Sequence, residues 1–206
     1  MNYLAHAYLS FGISEIAVGN LISDFVKGKK KLEYPDAIQK GISLHRAIDT
    51  FTDSHPVTQQ AKVFFKPVYR LYAGALTDVV YDHFLAKDAH EFPGEEGRGL
   101  LAFAEKTYEQ LAPFQALFPE KFARMFPYMR SQNWLYHYRY KEGIYNSFTG
   151  LSRRAAYMPP PEQACELFEE HYTALEACYK LFFPALKDFA FATLQQLIEN
   201  PPSGEN

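Results

Sequence analysis

From residue 2 to nearly residue 198, apolar side chains recur at three- and four-residue intervals, and no stretch alternates apolar with polar over the length of a strand. A chain with that single periodicity can bury its apolar surface only by packing helices on helices. The sequence therefore predicts an all-α fold, a single compact helical domain of roughly eight helices. At 206 residues, 48% of them hydrophobic and 17% aromatic, it has ample material for one core. Helices are expected over 2–9 (closed by Gly12), 14–28, 35–53 and 67–87. Others are expected over 99–112, 119–131, 133–141 and 144–155. A last long helix follows Pro159-Pro160-Pro161 to about 198, kinked at Pro184. The loop Phe92-Pro93-Gly94-Glu95-Glu96-Gly97 divides the domain, 1–200, into a His/Asp-rich part (1–90) and an aromatic-rich part (98–200). Residues 201–206 read as a disordered tail.

A net charge of −3 argues against a globally basic nucleic-acid binder. No segment is long and apolar enough for a bilayer, and the N-terminus lacks the basic flank of a signal peptide. Cys165 and Cys178 lie thirteen residues apart in one expected helix, nearly 20 Å at ~1.5 Å per residue, too far to pair. They read as reduced thiols of a cytoplasmic protein.

Five of the seven histidines fall in the first ninety residues, near carboxylates and within helical sequence. His45, Asp49 and Asp53 follow one another at single-turn spacing, as do Asp78 and Asp82, with His83 adjacent. His6 sits among Leu4, Ala5, Ala7, Tyr8 and Leu9, and Asp24 between Ile22 and Phe25, one turn after Asn20. Each has a plain reading. A lone histidine in an apolar helix is commonly a hydrogen-bonded core residue. Asp24 can form a salt bridge or face solvent, Arg46 and Asp49 can form an i, i+3 pair, and His55-Pro56 can be a helix start. Taken together they put His or Asp on four consecutive helices, and helices packed around one point can build a His/Asp metal site. Glu-x-x-His, HExxH, GxSxG and P-loop patterns are absent from the sequence.

At these residues the sequence resembles the acyl carrier protein phosphodiesterase (acyl carrier protein hydrolase) family. The resemblance is carried by Met1-Asn2-Tyr3-Leu4-Ala5-His6, by Gly19-Asn20-Leu21-Ile22-Ser23-Asp24-Phe25-Val26-Lys27-Gly28 and by Gly41-Ile42-Ser43-Leu44-His45-Arg46-Ala47-Ile48-Asp49. It continues through Thr52-Asp53, Asp78-Val79 and Tyr81-Asp82-His83-Phe84-Leu85, and more loosely through Trp134-Leu135, Tyr138-Arg139 and Arg153-Arg154. It implies a helical core distantly related to the HD-domain phosphohydrolases. The fingerprint departs from a plain HD motif, because Arg46 follows His45 and the carboxylate comes at Asp49. The implied reaction removes 4′-phosphopantetheine from holo acyl carrier protein with a divalent ion, Mn²⁺ or Mg²⁺.

On that resemblance His6, Asp24, His45 and Asp82 are the expected metal ligands. Asp49 and Asp78 would orient water or ligands, or join them. His83 would be the general acid, and Arg46 would neutralise phosphate charge. Acyl carrier proteins are acidic, so Lys27, Lys29, Lys30 and Lys31, just after Asp24, are the expected partner-facing residues; Arg130, Arg139, Arg153 and Arg154 form a second candidate surface. Two other readings share these residues. One is a metal-dependent phosphohydrolase acting on a nucleotide or other small phosphoester. The other is a non-catalytic helical module for an acidic partner.

Overall fold

In the computed structural model, which describes residues 1–199, eleven α-helices and several short 3₁₀ turns carry the chain, with no strand among the described residues. They are α1 (Tyr3–Tyr8), α2 (Ser14–Ile22), α3 (Asp36–Ser54), α4 (Pro56–Tyr69), α5 (Ala73–Lys87), α6 (Arg98–Leu111), α7 (Glu120–Ser131), α8 (Trp134–His137), α9 (Lys141–Arg154), α10 (Glu162–Glu170) and α11 (Tyr172–Glu199). The all-α expectation holds, with more and shorter helices than the periodicity suggests. The tail expected at 201–206 lies outside the described residues.

Each extra helix has a local cause. The expected helix over 67–87 is two elements. Arg70 takes φ 46° and ψ −112°, which no α-helix accommodates, so α4 ends there and α5 begins at Ala73. Pro67 lies inside α4 instead of opening a helix. His55 starts α4, its Nδ1 accepting the Val57 N–H at 3.3 Å, with Pro56 at the first helical position. The helix expected to reach residue 28 stops at Ile22, and Ser23–Phe25 form a 3₁₀ turn that carries Asp24 out of α2. The last helix breaks at His171, not at Pro184, through which α11 runs on. Cys165 and Cys178 thus lie on different helices, both as free thiols.

One core takes residues from both parts of the chain, with Leu4, Ile42, Ile48 and Phe65 buried alongside Phe122, Phe148, Phe182 and Leu186. Each such side chain contributes about 1.5–3 kcal/mol on burial. α11 crosses α3, α4 and α5 and joins the two parts. The tightest helix pair is α2 against α3. A Cβ on Gly19 would run into the Ile38 carbonyl oxygen, and one on Gly41 into the Ile16 carbonyl oxygen. With hydrogen in both places the two backbones touch, and that contact sets the site described next. Among the described residues no helix is long and apolar enough to cross a membrane.

Candidate active site

Asn20 follows Gly19 in an otherwise apolar run and is fully buried. Its side-chain oxygen lies 2.7 Å from His6 Nδ1, and its backbone carbonyl lies 2.7 Å from His45 Nδ1. Both acceptors are oxygens, so each Nδ1 carries a proton and each Nε2 is the nitrogen left to face the cluster. The Asn20 amide is itself anchored, donating to the His6 carbonyl at 2.9 Å and to Ser10 Oγ at 3.1 Å. One asparagine therefore sets the tautomer of two histidines from two other helices.

The imidazoles of His6 and His45 stack with centroids 4.0 Å apart and planes 19° from parallel, and both are buried. Both Nε2 atoms face Asp49: His6 at 3.2 Å from Oδ1 and His45 at 3.0 Å from Oδ2. Asp24, exposed on its 3₁₀ turn, brings Oδ1 to 3.2 Å from the same His45 Nε2. His6, His45 and Asp49 each offer one donor atom, all within 4.8 Å of one another. His6 Nε2 is buried without a hydrogen-bond partner, its lone pair turned on a carboxylate oxygen. Two acceptors in such contact need a cation or a proton between them. The donor set, two neutral imidazole nitrogens and a carboxylate, fits a divalent ion.

Burial, then the nearby His45, pushes the His6 imidazolium down to about 4. Burial acts the same way on His45, but hydrogen bonds to Asp24 and Asp49 outweigh it and raise the group to about 9. Burial would raise Asp49, yet the two histidines hold its carboxyl well below the usual range. Asp24 is lowered chiefly by its bond to His45. The Met1 ammonium lies 3.3 Å from Asp49 Oδ1 and 3.1 Å from Asp78 Oδ1, bridging the cluster to α5. Burial works against that ammonium, but Asp78 and Asp49 lift it to about 10. Burial raises Asp78 in turn.

The structure brings His6, Asp24, His45 and Asp49 together and leaves two expected residues elsewhere. Asp82 is fully buried and accepts the N–H groups of Leu4 at 2.7 Å, Ala5 at 3.2 Å and Asn2 at 3.4 Å. It caps the N-terminus of α1 from another helix, and its oxygens face backbone donors, not His6 or His45. Burial raises its carboxyl to about 7 against the opposing pull of those N–H groups. His83, one residue on, points to a different side of α5. Its Nδ1 meets the Tyr138 carbonyl at 2.7 Å and its Nε2 the Tyr172 hydroxyl at 2.9 Å. Fully buried and held at both nitrogens, it has no free atom for a leaving group. Asp53 pairs with Lys62 at 2.7 Å.

Arg46 stands exposed on α3 and donates from Nη2 to the Val26 carbonyl at 3.1 Å. Lys31 donates to Ser43 Oγ at 2.6 Å, while Lys27, Lys29 and Lys30 are exposed. At the end of α9, Arg154 opposes the upward shift that burial imposes on the Tyr3 phenol, and Asp24 adds to it. Sequence reasoning missed the role of Asn20; the available signal was a lone amide within Ile16–Ile22.

The fold and the site together define an all-helical protein with a histidine–carboxylate centre at the junction of α1, α2 and α3. Comparison with known proteins narrows that class. The family model described as acyl carrier protein phosphodiesterase matches residues 1–186. The chain is 32% identical over 190 residues to the acyl carrier protein phosphodiesterase of Salmonella paratyphi A, covering 90% of this chain and 95% of the relative. It is 31% identical over 190 residues to that of Photorhabdus laumondii (92% and 95%), and 31% over 186 residues to that of Yersinia pestis (90% and 95%). No solved structure matches the chain. The chain belongs to the acyl carrier protein phosphodiesterase family and is a phosphodiester hydrolase.

Proposed function

We propose that this protein hydrolyses the phosphodiester that joins 4′-phosphopantetheine to a serine of holo acyl carrier protein, leaving the apo protein, and that it does so with a divalent ion, Mn²⁺ or Mg²⁺. The observation that carries the metal reading is the double hold of Asn20 on the two Nδ1 atoms, which turns both Nε2 lone pairs onto one carboxylate.

His6, His45 and Asp49 would hold the ion, and Asp24 would close the set on the exposed side. Bound there, a divalent ion would supply Lewis acidity toward the phosphate and toward the attacking water. Asn20 keeps both imidazoles in the ligating tautomer throughout. Arg46, exposed on α3 three residues before Asp49, supplies the fixed charge that neutralises the phosphate. Asp78, across the Met1 ammonium from Asp49, holds that cationic bridge in place and steadies the Asp49 carboxylate. The exposed Lys27, Lys29 and Lys30 face the approaching acidic partner.

The test is to strip the protein of metal, add holo acyl carrier protein with and without Mn²⁺, and follow the mass of the carrier. Manganese-dependent loss of phosphopantetheine, abolished in His45→Ala and Asp49→Ala, is the expected result. No loss from a protein that does bind the ion would redirect the search to other phosphoesters. No loss and no binding would end the reading.

A further inference from the structure

Asp53 stands one turn beyond Asp49 on α3, about 6 Å along the helix axis. It lines a cavity of about 390 Å³ whose other walls include Lys62 and Lys66 of α4, Arg70 in the turn after it, and Asp78 of α5. Both acids already have cationic neighbours, Asp53 in Lys62 at 2.7 Å and Asp78 in the Met1 ammonium at 3.1 Å. Lys66 and Arg70 have no carboxylate within ion-pair distance among the described residues. Two exposed positive charges are thus left over in a concave surface next to the candidate centre. Arg70 is held there on a backbone at φ 46° and ψ −112°, a conformation that residues with a side chain rarely adopt. Beside it Leu71 projects into solvent, 97% exposed.

The charge and position of the cavity select its occupant. With a phosphodiester at His6, His45 and Asp49, the Asp53 edge of the cavity begins one helical turn away along α3. The pantetheine arm offers amides, hydroxyl and thiol, all neutral, and gains little from unpaired cations. The residues flanking the modified serine are within reach and can carry carboxylates. We propose that the cavity formed by Lys66 and Arg70 is the docking pocket for an acidic side chain of the protein substrate beside its modified serine, with Leu71 packing on the apolar surface around it. This rests on the proposed function and adds to it the surface that distinguishes a protein substrate from a small diester.

The test is the pair of charge reversals Lys66→Glu and Arg70→Glu in one chain, compared with wild type on holo acyl carrier protein and on a small aryl phosphodiester. The expected result is a rise of about tenfold or more in KM for the carrier, with kcat and aryl diester turnover within about twofold of wild type. The salt dependence of KM should flatten, Lys66→Gln with Arg70→Gln should fall between, and Lys66→Arg should match wild type. An unchanged KM on a carrier that is cleaved overturns the docking pocket and leaves the proposed function standing. A parallel loss on the aryl diester also overturns it, because the charges would then act on the chemistry. A wild-type protein that cleaves the aryl diester yet neither binds nor cleaves the carrier overturns both.

Discussion

His6 and His45 lie ring over ring, 4.0 Å between centroids, and share Asn20 as the acceptor of both Nδ1 protons. Two imidazolium ions at that spacing repel strongly, so the pair holds at most one proton comfortably. It falls to His45, which has Asp24 and Asp49 beside it, while His6 stays neutral down to about 4. A divalent ion that displaced that proton would meet two nitrogen lone pairs on one side of the stack.

Removing the shared acceptor should loosen that readiness without touching a donor atom. Asn20→Ala is expected to weaken binding of Mn²⁺ about 10- to 100-fold, the usual effect of losing an outer hydrogen bond to a ligating histidine. Competition against a chelator of known affinity reads the change. An affinity equal to wild type would mean that Asn20 serves packing alone.

Asp49 and Asp82 should separate cleanly when each is made neutral. Asp49→Asn is expected to abolish stoichiometric metal binding. Asp82→Asn should retain it and instead lower stability by about 1–3 kcal/mol, because the amide can no longer accept at both positions facing the N–H groups of Leu4 and Ala5. Metal content after dialysis, set beside urea unfolding of the same preparations, distinguishes the two. Loss of metal in Asp82→Asn at unchanged stability would return Asp82 to the ligand set.

His83 makes acid stability a local question. Burial lowers its folded value to about 4, against 6.5 in an unfolded chain. Above 6.5 the imidazole is neutral in both states and its contribution is fully present. As pH falls from 6.5 towards 4 the unfolded chain takes up a proton that the folded one refuses, and up to about 3 kcal/mol of stability is lost. His83→Gln should flatten the fall in unfolding free energy between pH 6.5 and 4.5. Equal slopes in the two proteins would show that His83 titrates in the folded state.

Gly41→Ala places a methyl group where the Ile16 carbonyl oxygen lies. Overpacking of this kind costs about 1–3 kcal/mol. Because α2 carries Asn20 and α3 carries His45, a forced separation should weaken Mn²⁺ binding more than an equally destabilising change elsewhere. Phe148→Leu in the aromatic-rich part provides that comparison. A Gly41→Ala protein with reduced stability and wild-type metal affinity would show that the helix spacing does not reach the site.

Helical periodicity made the fold class legible, and single-turn spacing made His45 and Asp49 legible as a pair on one face of α3. The same rule put Asp78 and Asp82 on one face of α5, and both do turn to the start of α1. It says that two carboxylates share a face, not which element that face meets. Adjacent residues on a helix diverge by about 100°, so His83 could not follow Asp82 to one place. The breaks at Arg70 and His171 escaped notice because neither residue type disfavours a helix, and both interruptions lie in backbone conformation set by packing. Asn20 was visible only as a polar exception, since its two partners come from helices before and after its own.

α1 has six residues, too few to persist as a helix alone, and its N-terminal amides are satisfied by a side chain that arrives eighty positions later in Asp82. Contacts between such distant parts of a chain form late, after the loop between them has closed. His6 is therefore fully placed only where α1 packs on both α2 and α5, and a chain in which only α2 and α3 are folded has one imidazole where two are needed. Capture of a divalent ion would then report completed folding: a nascent or damaged chain should neither sequester metal nor cut phosphodiesters, and full affinity for the ion would be the last property to appear on refolding.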